Sequence, residues 1–225
     1  MPLDDEILGH GVYTPKEAAR LLGTSSQQIL RWTRGSGPND PLWNGYYQFL
    51  DEDVSEISFL DLIEVRVVLA LRNAGVSLQA IRFAISFAQD KYSIQRPLAS
   101  QFFKTDGREI LMEALERDGD LVSLSKMRPG QKVFSRIVAQ SLNDLEYENE
   151  RVVRWRPRNH EKVVIDPHRY FGDPILDDFG LSTGMIYKEF SEFGDINYLA
   201  SIYEVPISII RSGIEFERSL DEADG

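Results

Sequence analysis

Apolar positions near the start of the chain recur at helical spacing, and capping residues mark where each helix begins. Thr14 and Glu17 form a T-x-x-E capping box, with Pro15 at the first helical position, where its missing N–H costs nothing. Gly23 suits the left-handed residue that ends a helix, and Ser25 opens a second helix with an S-x-x-Q box. The pattern predicts two short helices joined by a glycine turn, a helix-turn-helix.

A hairpin and two longer helices are predicted next. An Asn-Gly pair lies between apolar residues within the stretch 43–50, which is a strong hairpin signal. A hairpin in this place is the wing of a winged helix. Ser58 and Ser77 then cap two helices whose apolar stripes follow helical spacing. Together these elements predict a winged helix-turn-helix domain over residues 11–90.

Residues 91–160 are predicted to form a connecting α+β region. An Asp-Gly turn within residues 101–112 predicts two short strands, and residues 121–124 predict another strand. A helix is predicted over residues 130–142. Alternating apolar residues predict two further strands within 145–155.

Residues 161–225 are predicted to form a third module, in which two short strands precede three helices. The helices cover residues 183–190, 195–203 and 207–220. The last two weakly repeat the spacing of the first helix-turn-helix, but they carry few basic residues, which favours a protein contact over DNA. The predicted fold class is therefore mainly α with small β elements (α+β), and the C-terminal domain is small and helix-turn-helix-like.

Charge is divided unevenly along the 225 residues, whose net charge is −11. Residues 15–50 carry a balance of +2, whereas residues 161–225 carry 5 basic and 14 acidic side chains, a balance of −9. The two ends are therefore expected to face different partners. The absence of cysteine fits a reducing cytoplasm, and no apolar run approaches the length of a membrane span.

One basic run surrounds Trp155 and is the cluster most similar to a nucleic-acid patch. It consists of Arg151, Arg154, Arg156 and Arg158. The favoured interpretation is an edge strand whose charged solvent face blocks unwanted strand pairing.

Enzyme chemistry finds little support in the sequence. There is no glycine-rich phosphate loop, nucleophile elbow or metal-spaced histidine pair. An acidic group around His168 could hold a hard metal, but Asp-Pro and Gly-x-Pro turns explain most of it. That group consists of Asp166, Asp173, Asp177 and Asp178. We therefore expect no catalytic residues, no metal and no cofactor.

The spacing L-L-G-T-S-x-x-x-I-L-R-W, residues 21–32, resembles the MerR and excisionase class of winged helix-turn-helix proteins. That resemblance implies duplex DNA binding, with the second helix in the major groove. Family members often carry basic residues early in this helix, where the chain has Ser26, Gln27 and Gln28. This favours amide recognition of adenine over strong phosphate contact. The DNA-binding candidates are Ser26, Gln27, Gln28 and Arg31 in the groove, and Lys16, Arg34 and wing residue Tyr46 on the backbone.

Several motifs in order resemble a subgroup of VapB-type antitoxins. They are F-L-D-L-I-E at 59–64, A-G-V-S-L at 74–78, R-P-x4-F-F-K-T-D-G-R at 96–108 and G-Q-K-V-F at 130–134. Two C-terminal motifs resemble a widespread short antitoxin domain long catalogued as being of unknown function. They are V-I-D-P-(x4)-G-x-P and L-A-x-x-Y-x-V, within residues 164–205.

This second resemblance implies a toxin–antitoxin pair whose toxin is a PIN-type ribonuclease of the VapC kind, with the antitoxin binding its own promoter. Palindromic promoter DNA is best bound by a two-fold dimer, so we expect a homodimer. The acidic residues 161–225 are expected to bind the toxin, and an arginine there could pair with the carboxylates of a nuclease pocket. The candidate toxin-binding residues are Tyr203, Ile207, Arg211, Phe216 and Arg218.

Two alternatives remain open. A MerR-like transcriptional regulator that responds to a small-molecule effector would use the helix at 58–74 for dimerisation and the central region as a ligand pocket. A pure adaptor would use the helix-turn-helix only for packing. The adaptor would not bind DNA in a salt-dependent way, whereas the antitoxin and the regulator would. A ligand that shifts the melting temperature of the protein would support the regulator.

Overall fold

The computed structural model describes residues 9–35, 40–118 and 141–223. This part of the chain is mainly helical and contains one small antiparallel sheet, which confirms the predicted α+β class. Within it, no helix is long and apolar enough to cross a membrane.

The first two helices lie where the capping residues predicted them. Helix α1 covers Pro15–Leu22, and Thr14 and Glu17 form both halves of its capping box. Gly23 ends α1 with φ +61°, in the left-handed region that a Cβ disfavours. Helix α2 covers Ser26–Arg34, and the hydroxyl of Ser25 accepts a hydrogen bond from the backbone N–H of Gln28.

The predicted wing is wrong. Residues 43–50 form no hairpin, and Tyr46–Phe49 is a short 3-10 helix. The carboxylate of Asp61 accepts hydrogen bonds from the indole Nε1 of Trp43 and the backbone N–H of Tyr46, both at 2.9 Å. These bonds turn the chain around one buried carboxylate, so the Asn-Gly pair does not close a strand pair.

Two long helices form the centre of the N-terminal half. Helix α3 covers Phe59–Asn73 and α4 covers Leu78–Tyr92, and the predicted caps Ser58 and Ser77 are confirmed. The apolar stripes of both helices are buried in one large core.

The two strands predicted within residues 101–112 are wrong, because helix α5 covers Gln101–Asp118. Phe103, Ile110, Leu111 and Ala114 are buried at helical spacing. Gly107 belongs to the same buried face and packs against the ring of Phe103, so the Asp-Gly pair is part of a helix and not a turn. The elements predicted at 121–124 and over most of 130–142 lie outside the described residues.

The sheet has five strands in the order β1-β2-β3-β4-β5, with neighbours antiparallel. They cover Leu145–Glu148, Arg151–Trp155, Val163–Ile165, Pro174–Leu176 and Leu181–Ser182. The arginine-bearing strand β2 pairs on both sides, with β1 and with β3, so the interpretation of that segment as an edge strand is wrong.

Three helices complete the chain as predicted. Helix α6 covers Thr183–Phe193, α7 covers Ile196–Ile202, and α8 covers Ile207–Ala223. They enclose a second core, to which β3 contributes Val163 and β4 contributes Leu176. Strand β3 also contributes Ile165 to the first core, so the sheet continues past residue 160. The division into three domains stays a prediction.

The first core contains two carboxylates and one arginine. Asp61 is fully buried and Glu64 is 1% exposed. The guanidinium of Arg96 binds Asp61 Oδ1 at 2.7 Å and Glu64 Oε2 at 3.1 Å. Burial raises the pKa of Glu64 to about 7, with Asp61 acting in the same direction and Arg96 opposing it.

We predict that this carboxyl makes folding depend on pH. The unfolded Glu64 ionises near 4.5, whereas the folded protein keeps the proton up to about 7. Between these values the folded state binds more protons, so the free energy of unfolding should fall by about 3 kcal/mol as pH rises, and then level off. Urea denaturation from pH 4 to 8 should show a smaller fall in Glu64→Gln than in the exposed control Glu109→Gln. An equal fall in both variants would contradict the assignment.

Candidate functional site

Helix α2 presents one polar face to solvent. Gln27 and Arg31 are exposed and lie one helical turn apart, so their side chains share that face. Ser26 is half-buried in the first turn. Two predicted groove residues, Gln27 and Arg31, are therefore accessible together.

Gln28 is half-buried, and its side chain has a local partner. Its Oε1 accepts a hydrogen bond from the hydroxyl of Thr24 at 3.1 Å. The expected reciprocal half of the S-x-x-Q box, a bond from the backbone of Ser25 to this amide, is replaced by this contact. The Thr24 bond uses only the carbonyl oxygen, so the NH2 group keeps its donors for a base.

The three predicted backbone contacts differ in accessibility. Lys16 is exposed on α1. Arg34 is also exposed, but its guanidinium donates hydrogen bonds to the backbone carbonyls of the segment 52–54. Tyr46 is half-buried and stacks on His10 with ring centroids 4.3 Å apart. Tyr46 was expected to contact phosphate because it would lie on a wing, and the structure has a 3-10 helix there in place of the wing.

The predicted toxin-binding residues differ in accessibility. Ile207 is 40% exposed at the start of α8, and Arg211 is exposed one turn later. The exposed guanidinium of Arg218 lies 5.5 Å from the ring centroid of Phe190. Tyr203 is half-buried and donates a hydrogen bond from its hydroxyl to Glu189. Phe216 is only 2% exposed, so it belongs to the core and not to an accessible surface.

An ion-pair cluster joins α1 to α8. Arg20 of α1 binds Glu217 at 2.6 Å and Asp221 at 2.7 Å, both on α8. Glu217 is 2% exposed and also accepts a hydrogen bond from the hydroxyl of Thr183. Leu21 of α1 packs against the second core beside this cluster. Sequence reasoning missed the contact, because nothing in the pattern of either helix indicates a partner about 200 positions away.

A second contact anchors the segment before α1 to the loop between β3 and β4. The backbone N–H of Val12 donates to the carbonyl of Phe171 at 2.8 Å, and the hydroxyl of Tyr13 donates to the carbonyl of Gly172 at 2.9 Å. Gly172 has φ +90°, and a Cβ there would overlap the hydroxyl of Tyr13. This contact adds to the Arg20 cluster in joining the start of the chain to its C-terminal part.

The acidic group weighed as a metal site is largely paired with arginines. Asp166 accepts a hydrogen bond from Arg154 at 2.9 Å, and Asp177 accepts from Arg156 and Arg169. Partial burial acts to raise the pKa of Asp177, but the bonds from both arginines hold it below its usual value. Within the described ranges, no group of three or more acidic or histidine side chains is placed to hold a metal ion. These ion pairs involve Arg154 and Arg156, two members of the basic run around Trp155.

A cleft of about 790 Å3 opens beside the buried carboxylates of the first core. Its lining combines apolar and polar side chains. They include Leu42, Trp43, Tyr46, Phe49, Gln89 and Arg96. This size and composition suit a small molecule.

Comparison with known proteins finds a curated relative and a similar solved fold. No family model matches the chain. A Mycobacterium tuberculosis protein named "Putative antitoxin VapB45" is 27% identical over 222 residues, covering 91% of this chain and 92% of that protein. This similarity supports a relationship to VapB-type antitoxins. The crystal structure of Rv2018 from the same organism has a TM-score of 0.64 at 22% identity, covers 90% of this chain and 96% of that chain, and shows a shared fold.

We predict that the Arg20 cluster stabilises the folded state. Arg20→Met leaves the carboxylate of Glu217 buried without its cation, so the free energy of unfolding should fall by about 1–3 kcal/mol. The double variant Arg20→Met/Glu217→Gln should recover part of that loss, because the charge that it leaves unpaired, on Asp221, is exposed to solvent and not buried. Urea denaturation measures all three proteins.

Glu113→Gln is the control, because it removes an exposed pair with Arg117 on a single helix and leaves the contact of Arg117 with the ring of Phe83 in place. Its effect should stay below about 0.5 kcal/mol. Equal effects of Arg20→Met and Glu113→Gln would contradict a structural role for the α1–α8 cluster.

Proposed function

We propose that this protein is the antitoxin of a type II toxin–antitoxin system. It binds and neutralises a PIN-type ribonuclease toxin, and it represses its own operon by binding promoter DNA. The observation that carries the proposal is the similarity to a protein named as an antitoxin, which extends over 91% of the chain. That similarity favours a regulatory protein over an enzyme.

The uneven charge supports different binding partners for the two ends of the chain. The balance of −9 in residues 161–225 repels DNA phosphate and attracts a basic protein surface. A ribonuclease must attract the phosphates of its RNA, so its substrate face is such a surface. Ile207, Arg211 and Arg218 are exposed candidates for this contact, with Tyr203 at its border.

DNA binding is assigned to the exposed face of α2. Gln27 and Arg31 enter the major groove, the NH2 group of Gln28 donates to a base, and Lys16 contacts a phosphate. Ser26 lies at the start of the same helix and Arg34 at its end. A homodimer places two such helices on a palindromic promoter.

The cleft beside Arg96 favours one alternative, a MerR-like regulator that responds to a small molecule. Its volume of about 790 Å3 lies in the range of ligand sites. A metabolite that raises the melting temperature and changes DNA affinity in the same titration would support this alternative.

Neutralisation is tested with the product of the gene that adjoins this chain's own gene. We expect that gene to encode a PIN-type nuclease that arrests growth when expressed alone. Co-expression of the full-length protein should restore growth, and the two proteins should copurify. A neighbouring gene of another kind, or continued growth arrest with both proteins present, would contradict the proposal.

DNA recognition is tested by substitutions in α2. Gln27→Ala and Gln28→Ala should each weaken binding to the protein's own promoter by about 1–3 kcal/mol, and they should change binding to random duplex DNA little. Fluorescence anisotropy at a fixed salt concentration measures both duplexes, since the phosphate contribution depends on salt.

Gln101→Ala is the matched control, because Gln101 is an exposed glutamine on α5, away from α2. It should leave both affinities unchanged. Equal losses on promoter and random DNA would mean that the two α2 glutamines do not recognise bases.

A further inference from the structure

Four large apolar side chains are exposed in succession between the end of α6 and the start of α8. Phe193 is 59% exposed, Tyr198 46%, Ile202 54% and Ile207 40%. We refer to these four residues as the apolar ridge. Contiguous exposed apolar surface is uncommon on monomeric proteins and marks interaction sites.

The geometry holds the ridge together. The rings of Phe193 and Tyr198 are in contact, with centroids 5.6 Å apart. Tyr198 and Ile202 lie one turn apart on α7, so they share a face. Ile207 begins α8 directly after the turn that follows α7. The ridge therefore spans the end of α6, one face of α7 and the start of α8.

The second core does not depend on these side chains. Leu199, Ala200, Ile209 and Ile210 supply the buried apolar residues of the same segment. A bond from the hydroxyl of Tyr203 to Glu189 further fixes α7 against α6. The ridge residues are thus available for a partner at little cost to the fold.

Charge around the ridge selects the kind of partner. Residues 189–207 contain four acidic side chains and no lysine or arginine, and Arg211, one turn after Ile207, is the first basic residue of α8. They are Glu189, Glu192, Asp195 and Glu204. Two copies of this surface would bring like charges together, and duplex DNA would be repelled. A basic protein face with an apolar recess is complementary to it.

We infer that the apolar ridge and its surrounding carboxylates form the surface on which the basic face of the toxin docks. This inference rests on the proposed antitoxin function. Phe193 and Tyr198 act as aromatic anchors, and Ile202 and Ile207 extend the buried area. The carboxylates attract the basic face of the toxin during association. In the complex they cover the positive charge of the toxin that would otherwise attract RNA.

The test uses the full-length protein and the nuclease encoded by the adjoining gene. Phe193→Arg and Ile202→Arg place a cation in the ridge, where it opposes both the apolar contact and the basic partner. Each should weaken nuclease binding roughly 30-fold or more in biolayer interferometry and reduce growth rescue. Because both side chains are exposed, circular dichroism should show unchanged folding.

Phe179→Arg is the matched control, with the same substitution at a 41% exposed phenylalanine outside the ridge. It should bind the nuclease as the wild type does. If all three variants bind and rescue equally, the ridge is not the docking surface, although the antitoxin function stands. If the wild type neither binds nor rescues, the proposed function fails and the inference fails with it.

Self-association provides a separate outcome. Sedimentation of the protein alone should give the same oligomeric state for the wild type, Phe193→Arg and Ile202→Arg. A dimer that becomes a monomer in the two ridge variants would show that a second copy covers the ridge, which would overturn the inference.

Discussion

The guanidinium of Arg20 binds two carboxylates of α8, and this contact joins α1 to the acidic end of the chain. Glu217 is buried and has only Arg20 and Thr183 as side-chain partners among the described residues, so its charge depends on the contact. The bond from Tyr13 to Gly172 adds a second point of attachment. The two proposed binding surfaces are consequently linked by direct contacts between the two ends of the chain.

This arrangement changes the charge available for DNA. Arg20 contributes to the positive balance of residues 15–50, yet its charge is used within the protein. Arg34 directs its donors to backbone carbonyls. Lys16 and Arg31 are exposed cations on α1 and α2, so in the proposed DNA complex the phosphate contacts of one protomer would contribute little affinity. Base contacts and the second protomer of a dimer would have to supply the rest.

Buried carboxylates explain the largest departure from the expected winged helix. Asp61 accepts hydrogen bonds from the capping residue Ser58 at the start of α3, and it also binds Trp43, Tyr46 and Arg96. A single carboxylate thereby organises a segment that its Asn-Gly pair had marked as a hairpin. Residues 101–112 form a helix in place of the two predicted strands for a similar reason. Burial of one helical face outweighs the tendency of Asp-Gly to form a turn.

Local chemistry determined where most helices begin and end. Thr14, Ser58, Ser77 and Asp195 cap the helices they were expected to cap, because a side-chain oxygen satisfies N–H groups only two or three residues away. The tertiary structure alone decided that β2 lies inside the sheet, that Arg20 reaches α8, and that Phe193, Tyr198 and Ile202 stay exposed. The helical pattern of a sequence identifies an apolar face, but it cannot tell which apolar residues find a partner in the same chain. That depends on contacts between distant segments, whose positions follow only from packing.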